Sequence, residues 1–261
     1  MPAVLDEPEI GFTPAQQSAF AQDGFLIVPQ LCPERLWSRM RAVTLEHLQR
    51  HIGPVEYEAE LHYPGAPESS EAEGGRTIRR LKQAHSRDYV FTEWLQSPQL
   101  SGPLQQLFGP GYLCPLAHHN CIMTKEPRFS SDTGWHQDIR YWSFTRPDLV
   151  NVWVALGPEH KENGCLQLIP GSQRRTYQRE QFDEQLFFRT DHPENQELLS
   201  QAVLAELNPG DVLFFHARAL HAATRNYSQQ TKLSVVFTFR AADNPPLPGS
   251  RSAASPELLI H

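Results

Sequence analysis

At 261 residues, with 39% hydrophobic and 20% charged side chains, the chain can bury a sizeable core and is expected to form one large folded, soluble domain. Its 23 basic residues against 30 acidic ones give a formal charge of −7, which argues against nucleic acid as a partner. Apolar runs such as Val152 to Leu156 fall far short of the roughly 20 residues of a transmembrane segment, and Met1 to Gly11 is acidic with no leader-like pattern, so a cytoplasmic location is expected.

In chain order, Thr13-Pro14 is a helix cap followed by proline at the first helical position, and Asp23-Gly24 closes that short helix. A strand over 24–28 comes next. Leu36, Met40, Val43 and Leu48 then recur at helical spacing, predicting an amphipathic helix from Pro33 to about His51. Residues 53–75 are acidic and rich in Gly, Pro and Ser, and read as an exposed loop that could act as a lid. A helical stretch over 91–108 is expected to be broken at Ser97-Pro98 and at Gly102-Pro103.

The texture changes after Gly109-Pro110-Gly111. Residues 112–124, 149–156, 164–169, 212–215 and 233–240 are short β-branched or aromatic runs between turn residues, the pattern of a β-sandwich or barrel. The proline-containing stretch 241–261 reads as a loose tail. Cys32, Cys114, Cys121 and Cys165 are irregularly spaced with no CxxC pair, which favours reduced thiols over disulfides or a structural zinc.

Twelve histidines invite a search for metal ligands, although a lone histidine is ordinarily a surface or satisfied core residue. In Gly134-Trp135-His136-Gln137-Asp138 an imidazole and a carboxylate stand two residues apart, and on one extended strand they would project to the same side. The block Pro209-Gly210-Asp211 to His216, continuing to His221, supplies a second histidine, with His216 and His221 as rival candidates. Two imidazoles and one carboxylate leave three octahedral positions open, which suits non-haem Fe(II). The same set also serves metal-dependent hydrolases, so a hydrolase or isomerase on a similar β fold stays open at this point.

These strings, together with Asn163-Gly164-Cys165-Leu166-Gln167-Leu168-Ile169-Pro170-Gly171-Ser172 and Asn226, resemble the phytanoyl-CoA dioxygenase family of Fe(II)/2-oxoglutarate oxygenases, over about residues 12–239. The resemblance implies a mainly β fold, a double-stranded β-helix (jelly roll, cupin-like) with amino-terminal and flanking α-helices. A helical part at 12–110 would precede a jelly-roll core at 111–240 in a single domain. It implies His136, Asp138 and His221 as iron ligands, with Trp153 and Lys82 beside 2-oxoglutarate. The simpler readings are a core aromatic for Trp153 and a solvated charge for Lys82. Eleven residues beyond His221 the family usually has an arginine that forks the distal carboxylate; here Lys232 stands there, keeping the charge and losing the fork, with Arg225 and Arg240 as substitutes.

The implied reaction consumes O2 and 2-oxoglutarate with Fe(II), hydroxylates a C–H bond and releases succinate and CO2. An Asp138 in the ligand set favours hydroxylation over halogenation, which needs that carboxylate absent. Arg76, Arg79, Arg80, Lys82, Lys125, Arg128, Arg140 and Arg146 suggest an electropositive rim. An anionic small-molecule or lipid-linked substrate follows: a carboxylate, an acyl thioester or a lipopolysaccharide sugar acid such as Kdo. Tyr141, Trp142 and Phe144 are expected to wall it.

Overall fold

The computed structural model describes residues 10–260; residues 1–9, which carry most of the acidic amino terminus, and His261 lie outside the described residues. Helix α1 (Pro14–Asp23) starts at Thr13, whose hydroxyl accepts from the Gln16 backbone in a capping box, and stops at Gly24, which takes φ +80°. Strand β1 (Phe25–Val28) leads to α2 (Glu34–Gln49), which buries Leu36, Met40 and Val43 as its periodicity requires.

The segment expected to be an exposed loop contains β2 (Val55–Tyr57), which pairs with β3 (Ile78–Lys82). An acidic composition rich in Gly, Pro and Ser predicts exposure, yet Glu56 and Glu58 are buried against Arg79 and Arg80 of β3. Opposite charges meeting across two strands reverse what composition alone implies. Helices α3 (Tyr89–Leu95) and α4 (Pro98–Phe108) separate at Ser97-Pro98, but Pro103 lies inside α4 instead of ending it. Gly102 before it has no Cβ to clash, and its bare face packs on the Ile10 carbonyl.

The expected strand over 112–124 is two strands, β4 (Tyr112–Pro115) and β5 (Asn120–Lys125), with His118 and His119 in the turn between them. Then come β6 (Thr133–His136), β7 (Leu149–Ala155), β8 (Leu166–Leu168), helix α5 (Pro193–Leu199), β9 (Val203–Ala205), β10 (Val212–His216), β11 (His221–Ala223) and β12 (Lys232–Ala241). The tail is not loose. It ends in β13 (Glu257–Ile260), which pairs with β4, while Glu257 forms an ion pair with the buried Arg240.

All pairings are antiparallel, and the strands form two sheets. The large one runs β1-β10-β7-β12-β5-β3-β2, with β4 and β13 attached beyond β12; the small one runs β6-β11-β8-β9. Alternation divides the large sheet into two faces. Val154, Val212, Val235, Ile122 and Leu81 pack toward the helices in one apolar cluster. Trp153, Ala155, Leu213, Phe215, Val236 and Cys121 turn inward and meet Leu166, Leu168 and Ala223 of the small sheet in another. This is the jelly roll, and polar side chains, among them Lys125, His136, Asp138, His221 and Lys232, line a cavity beside this inner cluster. All four cysteines are free and buried.

Candidate active site

The small sheet presents two histidines side by side, because His221 of β11 is the register partner of His136 of β6. Their rings lie 4.2 Å apart. Strand β6 ends at His136, so His136 and Asp138 do not share a strand as the spacing suggested; Asp138 opens a 3-10 turn. Gln137 between them keeps an extended backbone (φ −110°, ψ 134°), so the two side chains still converge. Asp138 Oδ1 is 3.5 Å from His136 Nε2 and 3.7 Å from His221 Nε2. One ligand atom from each of the three lies within 4.8 Å of the others, and all three residues are buried.

The surroundings fix how these groups can bind. His136 Nδ1 is 2.8 Å from the Gly134 carbonyl and His221 Nδ1 is 3.1 Å from the Ala219 carbonyl, so each Nδ1–H donates and each Nε2 lone pair faces the centre. Burial and the neighbouring His136 push the His221 pKa down to about 3, and burial lowers that of His136, keeping both imidazoles neutral as metal ligation requires. Asp138 Oδ2 accepts from Asn151 at 2.8 Å and contacts His119 Nε2 at 3.2 Å; Asn151 is held in turn by Thr238 at 2.6 Å. Burial would raise the Asp138 carboxyl, but His119 and His221 hold it well below the usual carboxylate range. Burial alone would lower His119, and Asp138 instead lifts it to about 9. The result is a carboxylate with one oxygen occupied and the other turned to the two imidazoles, a donor set that fits a divalent metal with open positions.

The three groups stand at one end of a cavity lined also by Arg79, Arg80, His119, Met123, Lys125, Trp153, Phe215 and Lys232. Trp153 and Lys232 thus share it. Lys232 is fully buried and donates to Glu159 at 2.9 Å, its ammonium 4.8 Å from the centre of the Trp153 ring. The same carboxylate accepts from Trp153 Nε1 at 2.8 Å and from Ser234 at 2.6 Å. Lys125 is the cross-strand partner of Lys232 and donates to the Ser131 carbonyl at 2.8 Å.

A family model described as phytanoyl-CoA dioxygenase (PhyH) matches residues 20–234. The chain belongs to this family. It is an iron- and 2-oxoglutarate-dependent dioxygenase, with Fe(II), 2-oxoglutarate and O2 as cofactor and co-substrates. The human peroxisomal phytanoyl-CoA dioxygenase is 23% identical over 87% of this chain and 68% of its own length. The ectoine dioxygenase of Halomonas elongata is 23% identical over 100% of this chain and 80% of its own. A match to phytanoyl-CoA dioxygenase 1 of Oryza sativa, at 27% identity, spans 50% of that protein. Among solved structures, EctD from S. alaskensis, crystallised with 2-oxoglutarate and 5-hydroxyectoine, superposes with a TM-score of 0.75 at 18% identity, covering 94% of this chain and 82% of that one. The carbocyclase SnoK from nogalamycin biosynthesis gives 0.72 at 20%, covering 96% and 97%.

Several expected site residues of this dioxygenase lie elsewhere. Lys82 is 46% exposed, sits 3.5 Å from Glu56 and does not line the cavity. Of the proposed arginine substitutes, Arg225 pairs with Asp132 and Arg240 with Glu257. His216 caps Arg218 through Nδ1, away from the three converging groups. The rim also shrinks: Arg128 pairs with the exposed Glu73, Arg146 with Asp243, and Arg140 stacks on Phe187, leaving Arg79, Arg80 and Lys125 of that set in the cavity. Tyr141, Trp142 and Phe144 do not wall it either. Trp142 packs on His118 and His119, and Phe144 is buried beside Leu149 and Ala217. The sequence offers His118 and His119 before an alternating strand, where one of them could face the pocket and side chains at a strand start are the plainer reading; His119 is the one that lines the cavity. The residues that sequence reading missed are Asn151 and Glu159, which nothing local marks.

Proposed function

We propose that the protein hydroxylates an unactivated C–H bond of a small anionic substrate, drawn from carboxylates, acyl thioesters and sugar acids such as Kdo, and releases succinate and CO2. In this reading His136, Asp138 and His221 hold the Fe(II), Trp153 walls the co-substrate, and Lys232 with Lys125 meets the distal carboxylate of 2-oxoglutarate. The observation that carries it is the convergence of two imidazoles and one carboxylate at the end of a buried, cation-lined cavity.

When bound, the metal and its co-substrate supply the oxidising equivalent, and the residues of the chain place and protect it. Asn151 and His119 occupy Asp138 Oδ2, so that Oδ1 alone is left for the metal. The Gly134 and Ala219 carbonyls keep the two imidazoles in the required tautomer. Lys125 and Lys232 carry charge that a dicarboxylate neutralises, and Lys232 is steadied by Glu159 while doing so. Trp153, Phe215 and Leu166 keep the inner wall apolar and exclude water around the reacting C–H bond.

The test is 2-oxoglutarate consumption by the Fe(II)-loaded protein with a panel of carboxylic acids, acyl thioesters and Kdo. Succinate formed in step with a product heavier by one oxygen is the expected result. A substrate altered without succinate would point to hydrolysis or isomerisation and overturn the reading.

A further inference from the structure

Four arginine and lysine side chains line the cavity, and three of them are already engaged. Arg79 donates to Glu58 at 3.1 Å, Ser131 at 2.8 Å and Thr133 at 2.9 Å. Lys232 is bonded to Glu159, and Lys125 to the Ser131 carbonyl. Arg80 is different. Its Nε is buried with no hydrogen-bond partner, 3.4 Å from Glu56 Oε1, and among the described residues neither Nη donates to a protein acceptor. Glu56 is itself shared, lying 3.5 Å from Lys82 as well.

A guanidinium brings five N–H donors and cannot shed its charge. The side chain is 28% exposed and only Nε is fully buried, so the Nη edge is open to the cavity, and what it matches best is a planar or tetrahedral oxyanion taken by two parallel hydrogen bonds. The location narrows what that oxyanion belongs to. Arg80 lies in the middle of β3, opposite Met123 of β5, and Met123 is opposite Ser234 of β12. It is therefore two strands across from Ser234 of β12, on the inner face of the sheet, displaced sideways from Lys232 and by one same-face step along the strands. An anion on Arg80 would share the cavity with His136, Asp138 and His221, with the width of two strands between it and β12.

We propose that Arg80 is a specificity-determining residue that binds the substrate's own anionic group, a carboxylate or a phosphate, and so sets which C–H bond faces the metal. The proposal rests on the function given above. Glu56 lies beside the Nε edge of the guanidinium without a hydrogen bond, and the Nη edge has no protein acceptor among the described residues, so Arg80 breaks no bond to take a ligand.

The experiment uses the full chain loaded anaerobically with Fe(II) and 2-oxoglutarate, whose visible charge-transfer band reports the co-substrate complex. Propionate and methylphosphonate are titrated in at ionic strength held constant with sodium chloride, and binding is read from the shift in the thermal unfolding midpoint. For the wild type saturable binding of at least one probe is expected, and the better probe tells whether the substrate's group is a carboxylate or a phosphate. Arg80→Gln should weaken that binding at least tenfold and Arg80→Lys by less, while the 2-oxoglutarate midpoint of the band moves less than twofold in both. Absence of saturable binding by the wild type, or unchanged binding in Arg80→Gln, overturns the proposal. So does a parallel loss of 2-oxoglutarate affinity, which would make Arg80 a co-substrate anchor. If Arg80→Gln does not fold, Arg80→Lys decides: unchanged anion affinity in it counts against the proposal, and a loss with an intact band supports it. If the wild type forms no band, the function above fails by itself, and the same probes titrated into the metal-free protein still decide whether Arg80 binds an oxyanion.

Discussion

Asp138 is the residue on which the site turns, since its two oxygens are divided between the imidazoles and the Asn151–His119 clamp. Asp138→Ala should abolish succinate formation while the unfolding midpoint in urea changes little; retained turnover would remove Asp138 from the metal site. Glu159 makes a different prediction. Its side chain is fully buried and carries the only carboxylate bonded to Lys232 among the described residues. Glu159→Gln leaves that ammonium buried and unpaired, which should cost about 3 kcal/mol in the absence of ligand. Saturating 2-oxoglutarate brings a replacement carboxylate, so the ligand should stabilise this variant by more than it stabilises the wild type, as chemical unfolding with and without it will show. Lys125 adds a pH dependence. Burial, Arg79 and Lys232 push its ammonium down to about 7, against the opposing pull of Glu58 and Asp132. It is charged below that pH and neutral above, so its attraction for 2-oxoglutarate is complete below about pH 7 and declines as pH rises, at most about tenfold per unit. Lys125→Arg should flatten that decline in the band titration, because a guanidinium stays charged throughout.

At the scale of elements, the surprise is how much work is done by strands too short for the sequence to announce. Strand β2 and the 3-10 turn that follows it deliver Glu56 and Glu58 to the two arginines of β3, both of which line the cavity. Strand β13 closes the far edge of the large sheet, and its Glu257 meets Arg240, donated from Nε at 2.7 Å. Glu257→Gln leaves that buried guanidinium without its counter-charge, with only neutral acceptors around it, and should destabilise the fold by about 3 kcal/mol in urea unfolding. Little change would show that β13 is held by Leu258 and Ile260 and not by its charge. Because no residue of β13 lines the cavity, co-substrate affinity in this variant should stay near wild type.

Across the whole molecule, what was legible in the sequence was local. The run from Pro209 to His221 and the His136–Asp138 spacing carry their meaning within a few residues, as do the Thr13 cap and the periodicity of α2. What was not legible depends on pairing over long separations. Alternation puts Arg80 and Lys82 on the same face of β3, but which of them reaches the cavity is set by the register against Met123 and Cys121 of β5. Glu159 reads as a polar residue in a turn until the fold sets it beside Lys232, 73 residues on. The tail looked loose for the same reason, since the partner of β13 is a strand more than a hundred residues earlier.

In the proposed site His136, Asp138 and His221 hold an iron to which 2-oxoglutarate binds, with its far carboxylate at Lys232 and Lys125. Anaerobic titration of the metal-free protein with Fe(II) and then with 2-oxoglutarate, followed in the visible, tests this directly. A weak charge-transfer band should appear on the second addition, vanish in His221→Ala, and require much more 2-oxoglutarate in Lys232→Met. Iron bound with no band, or a band indifferent to His221, would rule out this site.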